Sequence, residues 1–417
     1  MKNSCKIFLV SFIFSFNALA QITTPTPKLP IHVCQNCGKP DAFKTITAAI
    51  AAADPGDIIN IWGEEDELNE GFIFEYEEHL IIDKRLTLTC DNPESDLGYP
   101  IITHSFTGSS PPDAIIHIQP GGEETVIKHL EIRGPITGEI TYCGMLQPLS
   151  PSSPLSCMDT KIGILVSANG CTVYDVSITR CMTGIYLEGT DNYINRNRIG
   201  NRWLDPIHPA IHQEEYWSPT HNYPMPSTIH HPGNGFGLVA VEPEWTKPDN
   251  MNYESRAHNR ITDNIIRSNR YWGVVLTNGS RAEVAHNIIA WNGDYSVDSD
   301  WKGVPDKSGG LLSLFTKDQI SNPLNDNKLQ CPVILSNNIY GNKGYQIGVF
   351  TETVDEGIER CKQIYNSPVI MSNIIGVEEN MPPLLTDDPP DQYDFLICAG
   401  PTPAPIVTPS PTSVSTT

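Results

Sequence analysis

The side chains best equipped for chemistry gather between residues 186 and 301 of this 417-residue chain. Five histidines, His208, His212, His221, His230 and His231, share one segment with Asp205. Imidazole titrates near neutrality and ligates metals. Asp205-Pro206-Ile207-His208 with His212 could therefore hold an ion, or supply a base and its orienting carboxylate. Carboxylates follow in groups: Glu214 and Glu215, Glu242 and Glu244, then Asp294, Asp298 and Asp300. Hydrolysis of a glycosidic bond needs two flanking carboxylates, one as acid and the other as base or nucleophile. Asp298-Ser299-Asp300 also offers oxygen ligands suited to calcium, without EF-hand spacing. Six of the seven tryptophans (Trp203, Trp217, Trp245, Trp272, Trp291 and Trp301) lie in the same stretch. Aromatic faces stack on the apolar faces of sugars, and the same rings can instead anchor long loops. The candidate catalytic set is Glu242, Asp298, Asp300 and His212. Tyr186, Glu188, Trp203, Trp217, Trp245, Trp272 and Trp301 are the candidate substrate-binding set, with calcium as the candidate cofactor and its ligands unassigned.

Positioning such groups falls to a repeat. Segments centred on Asn197, Asn264, Asn287, Asn338 and Asn373 each lead into a short apolar run, with Val176 and Leu130 at the equivalent place earlier. Intervals of 21 (176 to 197) and 23 (264 to 287) approximate one coil, and longer ones carry insertions. A second element follows each turn, a Gly-led strand: Gly163-Ile164-Leu165-Val166, Gly184-Ile185-Tyr186-Leu187, Gly237-Leu238-Val239-Ala240 and Gly273-Val274-Val275-Leu276, then segments from Gly310 and Gly344. Alternation points Ile164, Ile185, Leu187, Val274 and Leu276 into a core. It turns Leu165, Tyr186, Glu188, Val239, Val241, Val275, Thr277, Ser313 and Phe315 outward, Glu188 being the acid among them. A stacked Asn at a tight corner accepts left-handed geometry and bonds the Asn of the next coil, so the asparagines read as structural. Residues 43–53, with Ile46, Ala49, Ile50 and Ala53 at helical spacing, predict an amphipathic helix stopped by Asp54-Pro55-Gly56 and covering the apolar end of the solenoid. Strand 57–62 follows it.

Thr45-Ile46-Thr47-Ala48-Ala49-Ile50, then Ala53-Asp54-Pro55-Gly56-Asp57-Ile58-Ile59-Asn60-Ile61, Leu86-Thr87-Leu88 and the Gly-Ile-x-Val and Asn-x-Ile coils resemble the pectin-lyase-like superfamily, close to its NosD-like repeat branch. The resemblance covers roughly residues 40–380 and implies an all-β, right-handed parallel β-helix solenoid with an N-terminal capping helix and long loop insertions. It leaves activity open, because that superfamily includes lyases, hydrolases, esterases, epimerases and non-catalytic surface proteins. Its polygalacturonase, pectate-lyase and pectin-methylesterase motifs are missing here. Asp205-Pro206-Ile207-His208 only faintly resembles the Asp-Pro-His of alginate epimerases.

Insertions fall at two corners. Residues 134–161, 200–234 and 292–308 lie before successive Gly-led strands, and 242–256, 316–330 and 351–363 lie after them. Such walls along one sheet would make a groove for a chain-like ligand. Residues 1–20, with Lys2, Lys6, an apolar run and Ala18-Leu19-Ala20, read as a secretory signal. An N-terminal segment (21–40), the solenoid (41–398) and a Pro/Thr/Ser-rich tail (399–417) complete the organisation. No stretch is long and apolar enough to predict a membrane span. Loss of Cys5 with the signal leaves ten of eleven cysteines, an even set that suits disulfides. Cys143–Cys157, Cys171–Cys181 and Cys331–Cys361 are the plausible pairs, while Cys34-Gln35-Asn36-Cys37 has a metal-like spacing without the second pair a zinc ribbon needs. A net charge of −22 argues against nucleic acid as partner and against polyanions unless a cation intervenes. The expectation is a secreted, periplasmic or cell-surface protein that binds and processes a polysaccharide or other glycan as a lyase, hydrolase or epimerase. The alternative is a non-catalytic glycan-binding or adhesin-like solenoid. Oligomeric state is not legible.

Overall fold

The computed structural model describes residues 29–35, 37, 39–63, 75–90, 99–106, 112–135, 161–200, 233–241, 259–277, 282–290, 292, 309–315, 333–340, 342, 345–351, 370–371, 373–375 and 396–399. These form a right-handed parallel β-helix. Three parallel sheets, one of ten strands and two of nine, stack one strand per coil. In a representative coil the chain runs through Thr172–Tyr174 of the ten-stranded leading sheet, Ser177–Thr179 of the Asn-led sheet and Thr183–Leu187 of the Gly-led sheet. It then returns to the leading sheet at Tyr193–Asn195. Among the described residues no helix is long and apolar enough to cross a membrane.

The core follows from the alternation. Ile116, Ile164, Ile185, Leu238, Val274, Leu311 and Ile347 hold one inward row of the Gly-led sheet through seven coils. All seven have 0% exposure. Full burial of each such side chain stabilises the fold by roughly 1.5–3 kcal/mol. In Gly309–Phe315, Ser313 pairs with inward Leu276 and Leu312 with outward Val275. Ser313 therefore lies in an inward row rather than on the outer face, because Gly310 takes the place of Gly273 and the alternation counted from it turns Leu312, not Ser313, outward.

Six described turns from the leading sheet to the Asn-led sheet each have one left-handed residue: His129, Asp175, Arg196, Asp263, His286 and Ser336, all with φ between 50° and 58°. Leu130 and Val176 follow the first two and an asparagine follows the other four, so it is the residue before the asparagine that takes the left-handed conformation. The buried amide reaches across coils. Asn264 Oδ1 accepts from Asn197 N at 2.9 Å, and Asn264 N donates to Asn287 Oδ1 at 2.9 Å. Asn287 continues to Asn337, and Asn337 to Asn373. The column thus runs through Asn337, not the adjacent Asn338, which pairs with Ile288 in the neighbouring strand. Val176 N starts it by donating to Asn197 Oδ1. Two further columns occupy the other corners. Asn269, Asn292 and Asn342 are linked in one, and Cys171 N, Asn192 and Asn259 in the other. Backbone groups that tight turns would orphan are paired in this way.

At the N-terminal end the helix spans Ile46–Ala52, with Ile46, Ala49 and Ile50 buried and the Thr45 side chain accepting from Ala48 N. The next coil grips both helix ends. Glu78 accepts from Ile46 N and Thr47 N, each at 2.8 Å, and Lys84 Nζ donates to Ile50 O and Ala53 O. An anion at the N-terminus and a cation at the C-terminus both suit the helix dipole. Ile31–Val33 pairs with Ile58–Ile61 as the first strand of the leading sheet, so the solenoid starts earlier than residue 41. Its last described strand is Leu396–Ala399.

Cys34 and Cys37 form a disulfide, which accounts for their spacing without a metal. Cys171 and Cys181 are both free and buried, correcting the pairing expected for them. They belong to different corners of the coil and both point into the core. The other expected pairs, the signal segment and the Pro/Thr/Ser-rich tail after residue 399 lie outside the described residues.

Candidate functional site

The outward row of the Gly-led sheet reads Ile81, His117, Leu165, Tyr186, Val239, Val275 and Leu312 in register. Its exposure is graded. Ile81 is 45% exposed, His117 and Tyr186 are half-buried, and Val239 and Val275 are at 0%. Among the described residues, the outward row is therefore open at Ile81, His117 and Tyr186 and covered at Leu165, Val239 and Val275. Apolar outward residues at 239, 275 and 312 require cover, whereas the polar ones at 117, 186 and 188 tolerate water.

On the open part, three coils contribute to one cluster. Glu188, just past strand Thr183–Leu187, is exposed, and its Oε2 accepts a 2.6 Å hydrogen bond from Ser167 Oγ. Ser167 occupies the corresponding place after strand Ile162–Val166, and its Oγ also lies 3.1 Å from His117 Nε2. Tyr186 packs beside Ala114, Ile162 and Leu165, a small apolar patch outside the main core. Burial holds His117 below the usual imidazole range, opposed by the charges of Glu188 and Asp113. His79 is lowered by burial and then by repulsion from His104 and His117, with Asp113 opposing. The His79 and His104 rings meet edge to face at 6.2 Å. An acid, a hydroxyl, several imidazoles and an aromatic ring thus share one wet surface that can bind a polar ligand and move a proton.

Of the residues picked out from sequence, the structure brings Tyr186 and Glu188 together. Trp272 is 3% exposed, so its ring packs inside the molecule and offers no open stacking face. Glu242, Asp298, Asp300, His212, Trp203, Trp217, Trp245 and Trp301 lie outside the described residues. Glu242 directly follows Val241, whose neighbour Ala240 pairs with Leu187, so its strand ends beside Glu188. Among the described residues no group of three or more His, Cys, Asp or Glu could hold a metal, and the calcium candidates Asp298 and Asp300 are not among them. Sequence reasoning missed His117 and Ser167. Ser167 could have been found by extending the outward alternation one coil back from Glu188, and His117, in the row of Tyr186, by extending it two coils back.

No family model matches this chain, and no curated protein does. Solved structures similar to it include pectate lyase Pel9A, at 12% identity over 78% of this chain and 71% of that one, TM-score 0.42. Pectin methylesterase PemA from Erwinia chrysanthemi is 14% identical over 70% and 79%, TM-score 0.36. The mannuronan C-5 epimerase AlgE6 A-module of Azotobacter vinelandii is 13% identical over 80% and 82%, TM-score 0.34. The fold assignment rests on the strand register given above.

Proposed function

We propose that this chain is an exported β-helix protein that binds and processes a polysaccharide on the open early coils of its Gly-led sheet. The observation that carries the reading is Glu188, an exposed carboxylate just past a strand end, bonded to Ser167 and two residues beyond the half-buried ring of Tyr186. In this reading Glu188 is the acid and Tyr186 a sugar-stacking surface. A second carboxylate is needed for hydrolysis, and Glu242 is the nearest in sequence to the same strand end. Asp298, Asp300 and His212 are further catalytic candidates, with Trp203, Trp217, Trp245 and Trp301 as binding candidates and calcium as a possible requirement. The apparent signal at residues 1–20 supports export to the periplasm, surface or medium.

A second reading has one observation in its favour: the hydrogen-bonded cluster of His117, Ser167 and Glu188 holds one carboxylate, whereas glycosidases use two. A non-catalytic glycan-binding solenoid would need only the surface. A glycan array followed by product analysis, with and without calcium, separates the two. New reducing ends or unsaturated products that disappear in Glu188→Gln support processing, with a turnover loss of about 10²–10⁴-fold. Binding without products on every captured glycan sinks it.

A further inference from the structure

The hydrogen bonds around Ser167 have a direction. A serine hydroxyl has one proton, and the 2.6 Å bond to Glu188 Oε2 uses it. His117 Nε2, at 3.1 Å from the same oxygen, must then be the donor, which fixes the neutral ring as its Nε2–H form. Imidazole gives to hydroxyl, and hydroxyl gives to carboxylate. The three groups come from three successive strands of the sheet, Ala114–Ile118, Ile162–Val166 and Thr183–Leu187. Their separation is held by the parallel ladder rather than by loops.

We infer that His117 and Ser167 are a proton relay that recharges Glu188 after it has acted as an acid; the inference rests on the reading of this surface as a polysaccharide-processing site. In one cycle Glu188 passes its proton to the departing sugar oxygen and becomes a carboxylate. The hydroxyl proton of Ser167 moves to Oε2, Oγ takes the Nε2 proton of His117, and a solvent proton enters the ring at Nδ1. One proton has then passed from solvent to the carboxylate, and solvent exchange returns His117 to its Nε2–H form. Ser167 and His117 act through Glu188 and are positioning residues, not catalytic ones. The charged and titratable groups facing His117 are Glu188 and Asp113, which favour its protonation, and His79, whose own protonation His117 and His104 oppose.

Nitrogen-15 NMR of the full chain tests the wire without turnover. The expected result is an Nε2–H ring for His117 above its titration range. Ser167→Ala should replace that with a tautomer mixture, and Glu188→Gln should lower the His117 midpoint. An Nδ1–H ring in the parent protein, or a midpoint indifferent to Glu188→Gln, overturns the relay. On a cleaved glycan, His117→Gln and Ser167→Ala should each slow turnover by about 10²-fold with KM unchanged and shift the pH profile. Added imidazole buffer should restore rate to His117→Gln. Turnover with a pH profile unchanged in both variants overturns the relay and leaves the processing reading standing. No turnover by the parent protein overturns that reading and the recharging role together, while NMR still decides whether the bonded chain exists.

Discussion

Burial pushes the Cys171 thiol up to about 11 and the Cys181 thiol up to about 12. Thiolate is the reactive form, so both should resist iodoacetamide at pH 8 in the native protein and react once it is unfolded. Labelling followed by peptide mass spectrometry checks this, and native modification of either would contradict the packing described. Cys34 and Cys37 should remain unlabelled under both conditions until a reductant is added. These outcomes could not be read from the chain. An even cysteine set suggests pairing, but what keeps Cys171 and Cys181 apart is the corner each occupies. The same limit hid the Glu188 cluster. Its hydrogen bonds span 21 residues from Ser167 to Glu188 and 50 from His117 to Ser167, the longer gap containing an insertion that masks the coil period.

At the scale of elements, the asparagine columns and the glycines beside them make the corners demanding. Asn264 satisfies Asn197 N, Asn197 Nδ2 and Ile194 O in one direction and bonds Asn287 in the other. Asn264→Ala should cost about 3 kcal/mol or more, since each orphaned buried group costs about 1–3 kcal/mol. Asn338→Ala, one residue from the column, should cost less than Asn337→Ala. Urea midpoints for the three variants test the order, and equal losses at 337 and 338 would refute the register. A Cβ at Gly237 would sit 2.4 Å from Gly273 O and 2.8 Å from Asn269 Nδ2, so Gly237→Ala should destabilise as well. Much of this was legible, because the Asn-x-Ile and Gly-led periods are short and regular. The one-residue misplacement at Asn337-Asn338 arose where two asparagines adjoin and composition cannot choose between them. The second column was also visible in principle, at Asn269, Asn292 and Asn342, each five residues after a member of the first.

Across the whole molecule, acid should weaken the fold before its carboxylates are protonated. His32, His79 and His117 all have folded pKa values below the ordinary 6.5, with burial the largest cause in each. The unfolded chain then binds more protons, so their contribution is complete above pH 6.5 and is lost as pH falls from there through the lowered folded values. Denaturation midpoints at pH 7.5 and 5.5 should therefore differ, and His79→Asn with His117→Asn should reduce the difference. A larger difference in the double variant would reverse the sign argued here. What alternation could not supply at this scale was closure of the outer face. It indicates which side chains point outward but not which of them stay wet, and Val239 and Trp272 turned out covered where Glu188 did not.

Every amide in the first asparagine column turns its oxygen toward the preceding coil and its backbone N–H toward the following one. The column is thus a one-way arrow along the long axis. Two solenoids meeting nose to nose would set like poles against each other, while nose to tail they could continue the arrow as an open-ended filament. The helix Ile46–Ala52, pinned by Glu78 and Lys84, lies across the nose. Its seat there covers the apolar end that such a filament would have to expose and pair.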